Sequence, residues 1–550
     1  SPGFVSAWLT SVDSAIASSP CHRRLGWPAF QGSAPGETPL VSGDLVDRCR
    51  HPCRKSKPHT GARFDDRPRS EYGRLVMTEL PLERRLAHGV AWSALLKWGS
   101  QALSWLAMIV LARLLTPSDY GLLGMANLYL GLIRILSEAG IGTSIVTINE
   151  ITPAERAQIN TAALMAGVVG TVATCLAAWP LGLFFRSPEL PLVIVALSVN
   201  SVLGAIRLVP SALLQKQLRF RGLAAVDGVG ALLNTAVTLG GALLGWHYWS
   251  LVAGGLASNI GSAVVAYWLA PERFAVPRWG SIGQYYRFTR DVLVGRLAWF
   301  TYSNADFMVA GRMLGKSALG AYGFAWNIAS VPVEKVSALV GRVTPAFFAK
   351  IQSDPAELRR FYLLITEGLI FITLPASVGM AFVAKDFVPA YLGPAWLEAI
   401  VPLQILSAYA ALRSVGTLLA QVLTVRRDTA FLMRNSLITA VVLPIAFVVG
   451  SRFGPGGIAA GWVLVYPLCI APLYRRTFQQ LSLPVRDYLA VLGPTVRGVA
   501  IMAIALAATQ FAMPADWSAV WRLSVAALVG ATVYLLAGVY PHRARLRELV

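Results

Sequence analysis

The chain has 550 residues, of which 55% are hydrophobic and only 14% charged, and its net charge is +20. Soluble domains carry roughly 25% charged residues, so this chain cannot cover a water-exposed surface, and a soluble multidomain protein is excluded. In a soluble chain the positive excess would point to nucleic acid. In a multi-pass membrane protein basic residues instead collect in cytoplasmic loops, so no nucleic-acid partner is expected.

Residues 1–76 show no helical period and no long apolar run. Their composition is that of a disordered segment or of an upstream frame read in error, since Met77 opens a short basic lead-in, Glu83-Arg84-Arg85, to the first apolar run. Three of the five cysteines, Cys21, Cys49 and Cys53, lie here. Cys49, Cys53 and His59 fit no common zinc spacing, and no metal or cofactor is expected. Cys175 and Cys469 fall inside apolar spans, which argues against a disulfide framework.

From Met77 onward the chain reads as an all-α membrane protein with about fourteen transmembrane helices. A bilayer core takes roughly 20 apolar residues per helix. Such runs lie near 89–113, 120–145, 159–183, 190–214, 223–245, 248–270, 291–314, 318–345, 361–384, 396–423, 429–450, 456–474, 488–511 and 517–540. The joins are short and rich in Pro, Gly and charge; none holds a folded domain or a long catalytic loop. With the N-terminus inside, the cytoplasmic joins carry 21 Lys/Arg and the opposite ones 5, namely Arg186, Arg312, Lys316, Lys385 and Arg452. Both termini are therefore expected in the cytoplasm.

The chain also repeats itself. Arg113–Ala126 aligns with Arg312–Ala325 at an offset of 199, with six of fourteen positions identical. Arg207, Val209, Leu213 and Gln215 match Arg413, Val415, Leu419 and Gln421 at an offset of 206. A unit of six spans used twice keeps its orientation, so the two lobes should be related by a pseudo-two-fold axis along the membrane normal. The expected organisation is an N-lobe over 77–270, a cytoplasmic loop over 271–290, a C-lobe over 291–474, and two further helices with a basic tail over 475–550. Two such bundles around a cavity suit alternating access; a duplicated scaffold without transport is the other reading.

Eleven basic residues fall in or at the ends of spans: Lys97, Arg113, Arg134, Arg207, Arg296, Lys335, Arg342, Arg413, Arg434, Arg497 and Arg522. A central one costs roughly 2.5–3.5 kcal/mol on insertion scales and needs a cavity or a partner. This surplus points to an anionic substrate such as a phosphorylated headgroup. Lys97 and Arg296 occupy equivalent places in spans 1 and 7 and are the expected opposed pair, in a cavity lined by spans 1, 2, 7 and 8. Arg134, Lys335 and Arg342 would extend its positive surface. Asp306 and Glu138 are the candidates for ion coupling, although Arg134 and Glu138 can also pair locally at i,i+4. Gly241–Gly245 and Gly457–Gly461 are GxxxG patterns, read as packing faces. No soluble catalytic motif is present, and an enzyme is not expected.

The run Leu111-Ala112-Arg113-Leu114-Leu115-Thr116-Pro117-Ser118-Asp119-Tyr120-Gly121 resembles the end of the first span in Wzx-type polysaccharide flippases. So do Asn304-Ala305-Asp306, Gly311-Arg312-Met313-Leu314-Gly315 and Leu319-Gly320-Ala321-Tyr322. The nearest branch is the colanic-acid type of lipopolysaccharide exporter, and the resemblance covers most of 77–500 and none of 1–76. It implies the multidrug/oligosaccharidyl-lipid/polysaccharide exporter fold, with two six-helix lobes in a V. It implies translocation of undecaprenyl-pyrophosphate-linked oligosaccharide across the bacterial inner membrane for exopolysaccharide or lipopolysaccharide synthesis, driven by H+ or Na+. Membrane lipid, a polysaccharide polymerase and chain-length proteins are the further partners implied. The alternatives are an antiporter of another anionic or amphiphilic molecule in the same fold, and a membrane polymerase or glycosyltransferase.

Overall fold

The computed structural model describes residues 106–138, 151–217, 219–277, 297, 299–514 and 516–539. The expected N-terminal extension over 1–76, the start of span 1, the loop beyond 277 and the basic tail lie outside the described residues. Every regular element described is helical. In order they are α1 (Leu106–Leu114), α2 (Pro117–Glu138), α3 (Pro153–Phe185), α4 (Leu190–Lys216), α5 (Phe220–Leu243) and α6 (Tyr248–Leu269). There follow α7 (Ala305–Val309), which runs into a π turn over Ala310–Leu314, then α8 (Lys316–Lys350) and α9 (Pro355–Phe387). Next come α10 (Ile400–Val415), α11 (Leu419–Val425), α12 (Thr429–Gly450), α13 (Gly454–Leu464), α14 (Tyr466–Gln480), α15 (Val485–Ala512) and α16 (Ala519–Tyr534).

Among the described residues nine helical runs are long and apolar enough to cross a membrane, or ten if the bent pair α1–α2 counts as one span. One of the nine, Thr429–Gln480, has 52 residues, far more than a bilayer core takes. It folds back on itself at the 3-10 turn Ser451–Phe453. The Phe447 and Trp462 rings meet at 5.1 Å, Asn435 Nδ2 donates to the Cys469 carbonyl at 3.2 Å, and Arg476 Nε reaches Asp428 Oδ2 at 2.6 Å.

Several helices run past the apolar limits read from the sequence, because capping residues begin them outside the apolar run. Thr152 and Glu155 form a reciprocal capping box that starts α3, and the Asp354 side chain accepts from the Ala356 and Glu357 amides to start α9. Each satisfies backbone N–H groups that the first turn leaves unpaired. Many outward faces stay apolar: Leu176, Trp179, Leu183, Trp268 and Ile504 are exposed, as lipid requires.

The segments on either side of residue 300 meet at the end where α2 and α8 begin. A Cβ added to Gly121 would overlap the Lys316 carbonyl, and one added to Gly320 would overlap the Pro117 carbonyl. The pairs Gly121/Gly320 and Pro117/Lys316 are each 199 apart, so the contact is reciprocal between repeat equivalents. Lipid is as apolar as leucine, so such helices associate through close backbone approach. Around this crossing, Trp396 Nε1 donates to the Ala112 carbonyl at 2.8 Å. Arg113 Nε donates to the Tyr391 carbonyl at 2.7 Å, and Arg312 lies over the Phe184 ring at 5.4 Å. Contacts then run along α2 as far as Gly131, where an added Cβ would lie 3.0 Å from the Phe300 ring.

Lys316 also forms an ion pair with Glu189 at 2.9 Å. The Lys316 ammonium holds the Glu189 carboxyl below its ordinary value. A lowered carboxyl stabilises the fold above its unfolded value and loses that contribution as pH falls through the lowered one. Both side chains are more than a third exposed, so the pair contributes under ~1 kcal/mol. Thermal melts from pH 7 to pH 3 should show that Glu189→Gln removes a small acid-side loss seen in the parent chain. The glycine crossing should matter more. Gly121→Ala and Gly320→Ala should each cost about 1–3 kcal/mol by overpacking. The double variant should lose less than the sum, because one separation of α2 from α8 relieves both; a double-mutant cycle on melts measures it.

Candidate functional site

Two polar sites lie among these helices. The first surrounds Asp306, at the start of α7. The chain breaks its helix at Asn304, whose Nδ2 donates to the Phe300 carbonyl at 2.9 Å, and α7 restarts with Asp306 fully buried. Tyr322 Oη, from α8, donates to Asp306 Oδ2 at 2.6 Å. Trp462 Nε1, from α13, donates to the same oxygen at 2.9 Å and to Tyr322 Oη at 3.2 Å. The other oxygen, Oδ1, is buried with no hydrogen-bond partner.

An aromatic shell encloses this carboxyl. Trp462 packs on Tyr409 at 4.8 Å and on Trp326 at 5.4 Å, while Tyr409 packs on Tyr466 at 5.2 Å. Arg413, near the end of α10, lies within electrostatic range of Tyr302, Tyr409 and Tyr466, and it makes no ion pair among the described residues. A carboxylate with no cationic partner among the described residues is costly in so apolar a shell.

The second site is an open polar cavity of about 540 Å³ lined by α2, α3, α4, α5 and α6. Arg134 and Arg207 supply positive charge, Asp227 one negative charge, and Asn127, Asn200 and Asn259 uncharged donors and acceptors. Arg207 and Asp227 have no ion-pair partner among the described residues. The Asn200 Oδ1 and Ser211 Oγ atoms are buried without a hydrogen-bond partner. Such unfilled hydrogen-bonding capacity is what a bound polar group or water would satisfy.

The expected site residues fall as follows. Arg134 lines the cavity within α2–α6. Lys335 is exposed on α8. Lys97 and Arg296 lie outside the described residues, as do the side chains of Arg342 and Glu138. Asp306 sits in the aromatic shell. Sequence reasoning assigned no role to Tyr322 and Trp462, because only the fold brings residues 306, 322 and 462 together. It also passed over Asp227, a lone carboxylate early in an apolar run. Arg207 and Arg413 carried a signal, since they match across the repeat. Two other intramembrane arginines are satisfied locally: Arg522 pairs with Asp386 at 2.5 Å, and Arg113 bonds the carbonyls of Ala390 and Tyr391. Among the described residues no group of three or more His, Cys, Asp or Glu could hold a metal ion.

Residues 110–401, more than half of the chain, match the family described as "Polysaccharide biosynthesis protein". The chain belongs to this family. Within it, the chain is 29% identical over 432 residues to the lipopolysaccharide biosynthesis protein WzxC of Escherichia coli (strain K12), covering 75% of this chain and 87% of that one. It is 25% identical over 433 residues to the teichuronic acid biosynthesis protein TuaB of Bacillus subtilis (strain 168), covering 74% and 86%. Among solved structures it is similar to the lipid II flippase MurJ in an inward closed conformation. There the TM-score is 0.66 at 11% identity, covering 82% of this chain and all of that one, which speaks for the fold alone. The Wzx-type resemblance read from Leu111–Gly121 and from 304–322 therefore stands, and this polysaccharide biosynthesis protein is a multi-pass membrane protein.

The hydrogen-bonded trio gives a direct test. Tyr322→Phe removes the donor at 2.6 Å and leaves Asp306 held by Trp462 alone, which should cost about 1–3 kcal/mol. Asp306→Asn in the Tyr322→Phe background should recover part of that loss, because an amide needs no charge compensation. Thermal melts of the four chains measure the coupling.

Proposed function

We propose that this chain carries a lipid-linked oligosaccharide across the bacterial inner membrane by alternating access, coupled to an ion gradient. The sugar is joined to its undecaprenyl carrier by a diphosphate, and the protein recognises that headgroup. The observation that carries the reading is the polar cavity lined by both Arg134 and Arg207. A diphosphate brings about two negative charges, and desolvating it demands fixed cations. Lys335, Arg342, Lys97 and Arg296 are proposed to continue this cationic lining, and Arg413 to serve as the C-lobe counterpart of Arg207. The polyprenyl tail stays in lipid.

The proposed scaffold has fourteen spans, arranged as two six-helix lobes (77–270 and 291–474) with a loop between them and two helices after them. The reciprocal Gly121–Gly320 contact supports the pseudo-two-fold relation, and the fold-back at Ser451–Phe453 supports counting 429–480 as two spans. Both termini are placed in the cytoplasm. Among the described residues the joins at the α2/α8 start carry Arg186, Lys316 and Arg452, whereas Lys216, Arg219, Lys350, Arg426, Arg427 and Arg486 gather at the other end, as the positive-inside rule expects. The named contacts between lobes cluster toward the outer end, which suits a state that opens to the cytoplasm. Asp306 is proposed to take up the coupling H+ or Na+, with Glu138 as a second candidate. The Asp306 shell has the carboxylate-and-aromatic character of a drug antiporter lumen, but Asp306, Tyr322 and Trp462 are buried, so the shell is read as an ion site. A polymerase or ligase would need an external catalytic loop longer than these joins. A polymerase and chain-length proteins remain the partners that would take up the product.

In a strain lacking its own exporter, Arg207→Ala and Arg134→Ala should each cut polymer export about tenfold or more at unchanged protein level, the worth of one charged hydrogen bond. Arg207→Lys should keep part of it, since charge survives while the planar fork is lost. Wild-type export in Arg134→Ala/Arg207→Ala cells would remove the cavity from the pathway.

A further inference from the structure

Apart from both sites, α12 and α14 hold a second basic pocket, at the end of the molecule where α12 begins. Its volume is about 580 Å³, and Phe431, Arg434, Arg475 and Arg476 line it with Asp428. The pocket is built around one ring: the Arg434 and Arg476 guanidinium groups lie 5.7 and 5.8 Å from the Phe431 centroid. Asp428 is already engaged, by Arg476 Nε at 2.6 Å and Gln480 Nε2 at 2.7 Å. Arg434 and Arg475 have no acidic partner among the described residues, so the pocket keeps an uncompensated positive charge.

Its depth is that of a headgroup. Arg434 stands five residues after the start of α12 and Arg475 five before the end of α14, each roughly 7 Å along its helix. Further along, the same faces turn apolar and exposed. Arg434 shares its face with Leu437, Ile438 and Val441, and Arg475 shares its face with Leu468, all four exposed. A charged pocket at interface depth that continues into an apolar track matches a phosphate with its acyl chains. Water-soluble phosphates would leave the track unused.

We infer that the α12–α14 pocket is a binding site for an anionic phospholipid, with Arg434 and Arg475 holding the headgroup phosphate and the exposed leucine and isoleucine faces holding its chains. Basic pockets between transmembrane helices on the cytoplasmic side bind such headgroups. The stacked Phe431 ring keeps Arg434 and Arg476 extended, so little side-chain freedom is lost when a phosphate arrives. This site is independent of the cavity holding Arg134 and Arg207, with which it shares no residue.

Native mass spectrometry of the full chain in detergent, titrated with diphosphatidylglycerol, phosphatidylcholine, inorganic phosphate or undecaprenyl diphosphate, tests the inference. Diphosphatidylglycerol should be retained at least tenfold more tightly than phosphatidylcholine. The double variant Arg434→Gln/Arg475→Gln should lose about tenfold or more of that affinity. Arg434→Lys/Arg475→Lys should keep an intermediate affinity, and all three chains should melt alike without lipid. Equal retention of phosphatidylcholine, or of the anionic lipid by the glutamine variant, would overturn the proposal. So would inorganic phosphate competing as well as the lipid, which would make this an ion site. Preferential capture of undecaprenyl diphosphate by these arginines would overturn it too, by making the pocket a substrate entry.

Discussion

Lipid offers no hydrogen bonds, so every polar group between the two ends of this bundle must find its partner inside the protein. That constraint sorts the polar residues into three fates. Some are neutralised where they stand, as Arg522 is by Asp386 and Arg113 by the carbonyls of Ala390 and Tyr391. Some are caps that begin helices beyond the apolar run, as Thr152 and Asp354 do. Others gather in the cavity of α2–α6, the shell of Asp306 and the α12–α14 pocket, and these keep capacity for a ligand. Function resides in the groups that the scaffold leaves incompletely satisfied.

The same solvent limits how the helices hold together. Burial of apolar side chains gains little between helices already in lipid. Cohesion therefore depends on close packing and directed hydrogen bonds, and the start of α2 and α8 shows both. Gly121 and Gly320 let two backbones touch, and the fully buried Trp396 fixes α1 against the turn before α10 by its indole N–H. From that backbone contact the packing runs along α2 as far as Gly131 and Phe300.

The two polar sites differ in chemistry because they sit differently in the bundle. The α2–α6 cavity mixes arginine, carboxylate and amides and has room for a solvated or phosphorylated group. The Asp306 shell is buried and aromatic, with two donors on one carboxyl oxygen.

Much of this protein was legible in its sequence. Apolar run length, short joins and the uneven distribution of arginine determine a helical membrane protein and favour one orientation, because bilayer thickness and the positive-inside bias act on local sequence. The Gly121/Gly320 repeat was legible for the same reason: duplication leaves a constant offset. Asp306 stood out as a carboxylate in an apolar run. Its partners did not, since Tyr322 and Trp462 look like ordinary aromatic residues until helices separated by up to 156 positions come together. Apart from the match of Arg207 to Arg413 across the repeat, Arg207 and Arg522 read alike, as basic residues in apolar runs. Tertiary packing alone decided that one meets Asp386 on a neighbouring helix while the other faces a cavity, because what a charge costs in a membrane depends on what stands opposite it.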